Sequence, residues 1–232
     1  MNEKEFPFLA EKGHTVSLVG GGGKTTLLYA MADHCACKGW RVLVMTTTHI
    51  RQPVACYAPD DAALTALWQA SHYAVIGTPA ENGKLTLPPP QLLRRMAQAD
   101  AVFIEADGAK HHPCKLPAAH EPVLLRQSDI VLAVAGLSAL GKPLREGCFR
   151  YDTIRPQFLA AAPDAPLTPP MLAQFRRISL IEHSVKLPVP HRLAPALRAC
   201  KQLRQQGIQI QQLLRQHGIP CVLTHFEEEE RA

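Results

Sequence analysis

Aromatic side chains are scarce, at 6% of the 232 residues. No basic stretch is interleaved with them in the way that stacks single-stranded bases, so a nucleic-acid partner is not expected. Charged residues are few as well, at 19%, which excludes a disordered polyelectrolyte. The formal net charge of +5, beside eleven histidines, suits many kinds of partner and decides nothing alone. There is no run of about 18 uncharged apolar residues, so no membrane-spanning helix is expected. The opening M-N-E-K-E-F-P-F-L-A-E-K-G holds no apolar run of signal-peptide length. No C-x-x-C pair occurs among the seven scattered cysteines, Cys35, Cys37, Cys56, Cys114, Cys148, Cys200 and Cys221. They read as reduced thiols of a cytoplasmic protein.

Apolar residues are abundant, at 47%, enough for one good-sized core. Strands are expected at His14–Gly20, Arg41–Thr47, Tyr73–Thr78, Ala101–Asp107, Ile130–Ala135, Arg177–Ile181 and Ile219–Thr224. The runs V-L-V-M, A-V-F-I and I-V-L-A-V-A are apolar at successive positions, as in strands buried on both faces of a parallel sheet. Helices are expected between them, at Lys24–Lys38, Asp60–Ser71, Gln91–Gln98, Glu121–Gln127, after Thr168-Pro169-Pro170, and at Ala194–Gln205 and Ile210–His217. The fold class is therefore α/β, an open and mostly parallel sheet flanked by helices. One domain is expected over residues 1–232. Within it, 137–170 is rich in Gly, Pro and Ala and reads as an excursion or lid. Between Glu182 and Glu227 no acidic residue occurs, which reads as a solvated basic helix face.

Residues 16–26 read V-S-L-V-G-G-G-G-K-T-T. A phosphate loop requires backbone N–H groups converging on one place, glycines that let the backbone come close, and a helix N-terminus behind them. It also requires a lysine for the β- and γ-phosphates and a hydroxyl for Mg²⁺. Gly20, Gly21, Gly22, Gly23, Lys24, Thr25 and Thr26 supply this set, between an expected strand and an expected helix. The usual spacing G-x-x-x-x-G-K-[ST] would begin at position 18, which is Leu18, so this loop is tighter or differently entered.

Two further strand ends carry chemistry. A-V-F-I-E-A-D-G, residues 101–108, ends in Glu105 and Asp107, two apart and so on one face of a strand. Such acids hold Mg²⁺ or orient an attacking water in phosphate-loop proteins. Thr25 and Asp107 are the expected Mg²⁺ ligands, and Lys24, Glu105 and Asp107 the expected catalytic set. Lys110 follows, near the expected phosphate. R-V-L-V-M-T-T-T-H-I, residues 41–50, brings Thr46, Thr47, Thr48 and His49 to a strand's carboxyl end, where open α/β sheets bind ligands. K-H-H-P-C-K, residues 110–115, matches no closed zinc spacing.

V-G-G-G-G-K-T-T, V-M-T-T-T-H-I and F-I-E-A-D-G-A-K, followed by V-A-G-L-S-A-L-G-K-P-L, resemble the YqeC-type family over roughly residues 14 to 155. That family is described as selenium-dependent molybdenum-hydroxylase accessory proteins, small and P-loop NTPase-like. The resemblance implies a nucleotide-binding, Mg²⁺-dependent NTPase that takes ATP or GTP. Its partner would be a molybdenum hydroxylase or that enzyme's cofactor-maturation proteins, with selenium or the molybdenum cofactor as the cargo. It implies phosphate contacts from Gly21 to Thr25 and a metal or water role for Glu105 and Asp107. After Arg177–Ile181 the chain runs into Glu182-His183-Ser184-Val185, without the N-x-x-D segment that would read a guanine-like base, and 186–232 diverges. A small-molecule kinase, with His49 or Glu105 as base, and a binding module that does not hydrolyse its nucleotide are the alternatives.

Overall fold

The computed structural model describes residues 1–118, 121–153, 162–175, 192–198 and 203–224, with 192–198 as backbone. Residues group into two compact units. Unit 1 comprises Met1–Val19, Lys24–Gly108 and Val123–Val131, and unit 2 comprises Gly20–Gly23, Ala109–Pro122 and Leu132–Ala232.

Unit 1 is built on parallel strands. β1 (His14–Gly20), α1 (Lys24–Ala36), β2 (Val42–Thr46), β3 (Ile50–Arg51), α2 (Asp61–Gln69), β4 (Ala74–Val75), β5 (Thr78–Ala80), β6 (Lys84–Thr86), α3 (Pro90–Leu93) and β7 (Ala101–Glu105) follow in chain order. The main sheet runs β1-β7-β2-β4, all pairs parallel. Its register sets Leu18 and Thr46 on either side of Glu105. β2 and β7 are buried at every position, as their unbroken apolar runs predict. The expected α/β class, with a mostly parallel sheet, is observed.

Parallel neighbours need crossover helices, and α1 supplies one, packed on β2 and β7. Its buried face is Leu27, Leu28, Met31, Ala32, Cys35 and Ala36, pairs recurring every four residues. Each large side chain on that face stabilises the fold by about 1.5–3 kcal/mol through burial. The helix stops at Gly39, whose φ of +75° suits a residue without Cβ and whose N–H donates to the Ala36 carbonyl. α2 begins where the Asp60 carboxylate accepts the Ala63 N–H at 2.8 Å. Farther along it, Trp68 Nε1–H donates to the Val42 carbonyl. A small antiparallel sheet, β3-β6-β5, was not expected from the sequence; its strands have only two or three residues each, too short for a periodic pattern.

Unit 2 holds β8 (Cys114–Lys115), most of β9 (Ile130–Gly136), α4 (Leu144–Gly147), β10 (Cys148–Phe149), α5 (residues 169–175), β11 (Arg192–Arg198), α6 (Arg204–Arg215) and β12 (Val222–Thr224). β8 pairs in parallel with β10, and β11 lies between β9 and β12. The core gathers Leu137, Leu144, Cys148, Leu167, Leu172 and Phe175 with Ile210 and Leu214 of α6. Much of the Gly/Pro/Ala-rich segment thus supplies core side chains.

One expected helix is absent and another is strand over its first part. Glu121–Gln127 is irregular because its polar groups are taken by other segments. The Val123 N–H donates to the Ala106 carbonyl, and the Val123 carbonyl accepts the Thr47 hydroxyl. Residues 194–198 of the expected Ala194–Gln205 helix are strand, with Ala196, Leu197 and Arg198 opposite Val222, Leu223 and Thr224. Pro195 would remove an N–H from a helix and clash within it, whereas all three paired residues lie beyond it. The expected strand Arg177–Ile181, the segment Glu182–Val185 and the acidic Glu227–Glu230 run lie outside the described residues. No helix among the described residues is long and apolar enough to cross a membrane.

Candidate functional site

The glycine turn belongs to unit 2. Gly20, Gly22 and Gly23 have φ of +94°, +78° and +101°, which side-chain-bearing residues rarely adopt. Gly21 donates its N–H to the Val134 carbonyl at 3.0 Å. A Cβ at Gly21 would lie 2.6 Å from the His112 carbonyl oxygen, and one at Gly22 would lie 2.2 Å from the Gly136 nitrogen. The turn is therefore crossed at contact distance by the backbone of residues 112–114 and 136. Glycine at 21 and 22 has a structural cause in this crossing, so the glycine count alone does not argue for a ligand.

The chemistry lies in the residues that follow, in unit 1. Lys24 opens α1 and is 5% exposed. Its Nζ is 3.1 Å from Asp107 Oδ1 and 3.9 Å from Glu105 Oε1. Asp107 and Glu105 are 2% and 8% exposed. Thr25 donates its hydroxyl hydrogen to Glu105 Oε2 at 2.8 Å. These contacts follow from chain direction. β7 ends at Glu105, and the Ala106 N–H still bonds the Leu18 carbonyl of β1. Glu105 and Asp107 both reach Lys24 on the first turn of α1, as their two-residue spacing predicts.

The cluster is charged and dry. Burial pushes the Glu105 carboxyl above the ordinary glutamate range. The Lys24 ammonium and the Thr25 hydroxyl pull it back, and the Asp107 charge adds to the rise. With both acids ionised, one ammonium against two carboxylates leaves one net negative charge under very little solvent. Two carboxylates and a hydroxyl are the oxygen donors that a hard divalent cation prefers. The residues present thus fit Mg²⁺.

The remaining predicted ligand residues separate into different roles. Thr26 is exposed on α1. The Thr46 hydroxyl donates to the Glu105 carbonyl at 2.8 Å and the Thr47 hydroxyl to the Val123 carbonyl at 2.6 Å. Thr48 has its N–H on Thr46 Oγ1 at 3.0 Å. These threonines therefore fix the ends of β2 and β7 to each other and to residue 123. His49 is exposed, and no contact of its side chain ties it to the acids. Lys110 is exposed in unit 2, with Nζ 5.3 Å from the centre of the Phe149 ring. Sequence reasoning missed a buried network in the same unit. Lys115, 1% exposed, has Nζ 2.6 Å from Glu121 Oε2, which also accepts from Arg150. β8 has only two residues, Cys114 and Lys115, so no periodic pattern marked the lysine as buried. Among the described residues no group of three or more His, Cys, Asp or Glu is placed to hold a metal by itself. Cys114 faces Cys148, with the sulfurs 3.5 Å apart, while the His112 ring stacks on Phe149.

The family model described as "YqeC protein" matches residues 16–152. The chain belongs to the YqeC family. A YqeC relative from Escherichia coli (strain K12), itself described as uncharacterized, is 34% identical over 169 residues. That match covers 68% of this chain and 66% of the relative, a little under two thirds of its length. Among solved structures, HypB from Helicobacter pylori in complex with nickel aligns over 96% of this chain and 83% of its own, at 11% identity and a TM-score of 0.40. That likeness is too distant to transfer residues or ligands. The part of this YqeC chain that the family model matches includes the glycine turn, Lys24, the threonine strand end, Glu105 and Asp107.

Proposed function

We propose that this chain binds a Mg²⁺-nucleoside triphosphate, ATP or GTP, and hydrolyses it. The observation that carries this reading is the buried Lys24 ammonium held by Asp107 and Glu105, with Thr25 bonded to the same glutamate. Residues 20–26 are one uninterrupted stretch. Within it, Gly22 and Gly23 would offer backbone N–H groups to the phosphates and Lys24 would neutralise their charge. Thr25 and Asp107 would hold Mg²⁺, which when bound screens the phosphate oxygens. Glu105, more basic than an ordinary glutamate, would accept a proton from the attacking water.

The family resemblance supports a finer proposal, that hydrolysis serves the maturation of a selenium-dependent molybdenum hydroxylase. A cytoplasmic setting belongs to the same proposal, supported by free thiols at the six described cysteines. The basicity of Glu105 also supports a second reading, in which the proton comes from the hydroxyl of a small acceptor and the protein is a kinase.

Calorimetric titration with Mg·ATP and Mg·GTP tests the first step. Wild type should bind one of them and Lys24→Ala should lose it. Phosphate release without an acceptor supports the NTPase, and release only with an acceptor supports the kinase. If neither nucleotide binds, the proposal fails.

A further inference from the structure

The cations after the acidic strand end collect on one aromatic ring. Within unit 2, Lys110 Nζ lies 5.3 Å and the Arg150 guanidinium carbon 4.7 Å from the centre of the Phe149 ring. The His112 imidazole stacks on the same ring at 5.5 Å and 16°. His112 Nδ1 donates to the Glu146 carbonyl at 3.0 Å, which fixes the imidazole and turns Nε2 away from that bond. Lys110, His111 and Arg150 have φ of +45°, +64° and +62°, a left-handed backbone costly for residues other than glycine. Two of them, Lys110 and Arg150, lie against the one half-buried Phe149 ring, and strain of this kind gathers at binding sites.

The charge count points the same way. Lys110, Lys115 and Arg150 carry three positive charges, and Glu121, bonded to Lys115 and Arg150, carries one negative charge. Arg145 pairs with Glu146 at 3.8 Å and with Asp164 as well, which adds one positive and two negative charges. One net positive charge remains in this group, and the exposed Lys110, the one cation of the four with no carboxylate among these pairs, lies beside the stacked imidazole. The loop that carries Lys110 and His112 also crosses the glycine turn, with the His112 carbonyl against Gly21.

We propose that Lys110, His112 and Arg150, gathered around Phe149, form a binding site for the oxyanion of a phosphate monoester. Phe149 holds the cations in place by cation–π attraction, and the oxyanion receives charge-assisted hydrogen bonds from the lysine and from Nε2–H of the imidazolium, the form in which both ring nitrogens donate. The site does not depend on the nucleotide reading. Where both hold, it receives the phosphate of a second substrate.

The test follows the His112 imidazole by proton–carbon NMR, its signal identified by its loss in His112→Gln. Inorganic phosphate and ribose 5-phosphate are titrated separately, against sodium chloride at matched ionic strength. In wild type the His112 signal should shift saturably with ribose 5-phosphate and not with chloride. Lys110→Glu, at an exposed position that supports no core, should weaken the response by about tenfold or more. Lys84→Glu, at an exposed position of β6 outside both sites, should leave it unchanged. A stronger response to ribose 5-phosphate than to phosphate identifies an esterified ligand, and an equal one a free oxyanion at the same groups. No saturable shift, or an undiminished one in Lys110→Glu, overturns the proposal. Equal weakening in Lys84→Glu and Lys110→Glu also overturns it, because the response then follows overall charge and not these groups. Failure of the nucleotide reading shows separately, in the Mg·ATP and Mg·GTP titrations.

Discussion

The ammonium of Lys24 lies 3.1 Å from the carboxylate of Asp107, and both side chains are almost entirely removed from water. A buried ion pair contributes little net stability, because desolvation offsets the attraction. Removing one partner is different, since the other charge is left behind. Lys24→Met keeps the volume and deletes the charge, which strands two carboxylates. It should destabilise the chain by about 3–5 kcal/mol, read from urea unfolding. Lys24→Met combined with Asp107→Asn should recover part of that loss. If the single variant is as stable as wild type, the pair is not formed in solution.

The same cluster sets a pH dependence. Burial raises the Glu105 carboxyl in the folded chain. A raised folded value favours folding at low pH, and the advantage is lost as pH rises from the ordinary glutamate range through the folded value. Glu105→Gln keeps the shape and an oxygen that can accept the Thr25 hydroxyl, and it cannot ionise. Its stability should stay flat across that window where wild type declines, so that the variant overtakes wild type near neutrality. Parallel curves for the two proteins would overturn this.

Two glycines separate conformational cost from steric cost. Gly39 has φ of +75° and nothing within 4 Å of the place a Cβ would take, so Gly39→Ala should lose about 1 kcal/mol. Gly22 combines φ of +78° with backbone atoms of Gly136 and Pro113 at 2.2 and 2.4 Å from its own Cβ position. Backbone cannot turn aside as a flexible side chain can. Gly22→Ala should lose at least about 3 kcal/mol or fail to fold. Thermal unfolding of both variants compares the two costs, and equal losses would show that the crossing is loose.

Legibility in the sequence followed the range of the interactions. β2 and β7 were readable because burial on both faces leaves an unbroken apolar run, V-L-V-M-T or A-V-F-I-E. Glu105 and Asp107 were readable as a pair because strand alternation is local. Thr46 and Thr47 were correctly placed at a strand end, but a sequence does not show which carbonyl a hydroxyl will meet. Both meet backbone, at Glu105 and Val123. Residues 194–198 misled because Leu, Ala and Arg favour helix locally, whereas pairing with β12 is a long-range term that local propensity does not contain. Phe149 and Arg150 come to Lys110 and His112 only through the β8–β10 pairing, so the grouping had no local trace.

A second buried carboxylate should respond to acid in the opposite sense from Glu105. Burial alone would raise Glu121, yet hydrogen bonds from Lys115 and Arg150 outweigh it and hold the carboxyl below the ordinary glutamate range. A depressed folded value stabilises the fold above the ordinary range and loses that contribution as pH falls through the folded value. Wild type should therefore lose stability on acidification in a window that Glu121→Gln lacks. The variant should also be less stable at neutral pH, by about 3–5 kcal/mol, because it takes the carboxylate charge from a lysine that is 1% exposed. Lys115→Met in the same background removes the stranded ammonium and should restore part of the loss. Unfolding midpoints of the three proteins at neutral and acid pH decide this. If Glu121→Gln follows the wild-type acid limb, that limb belongs to other carboxylates and the Lys115–Glu121 pair does not control it.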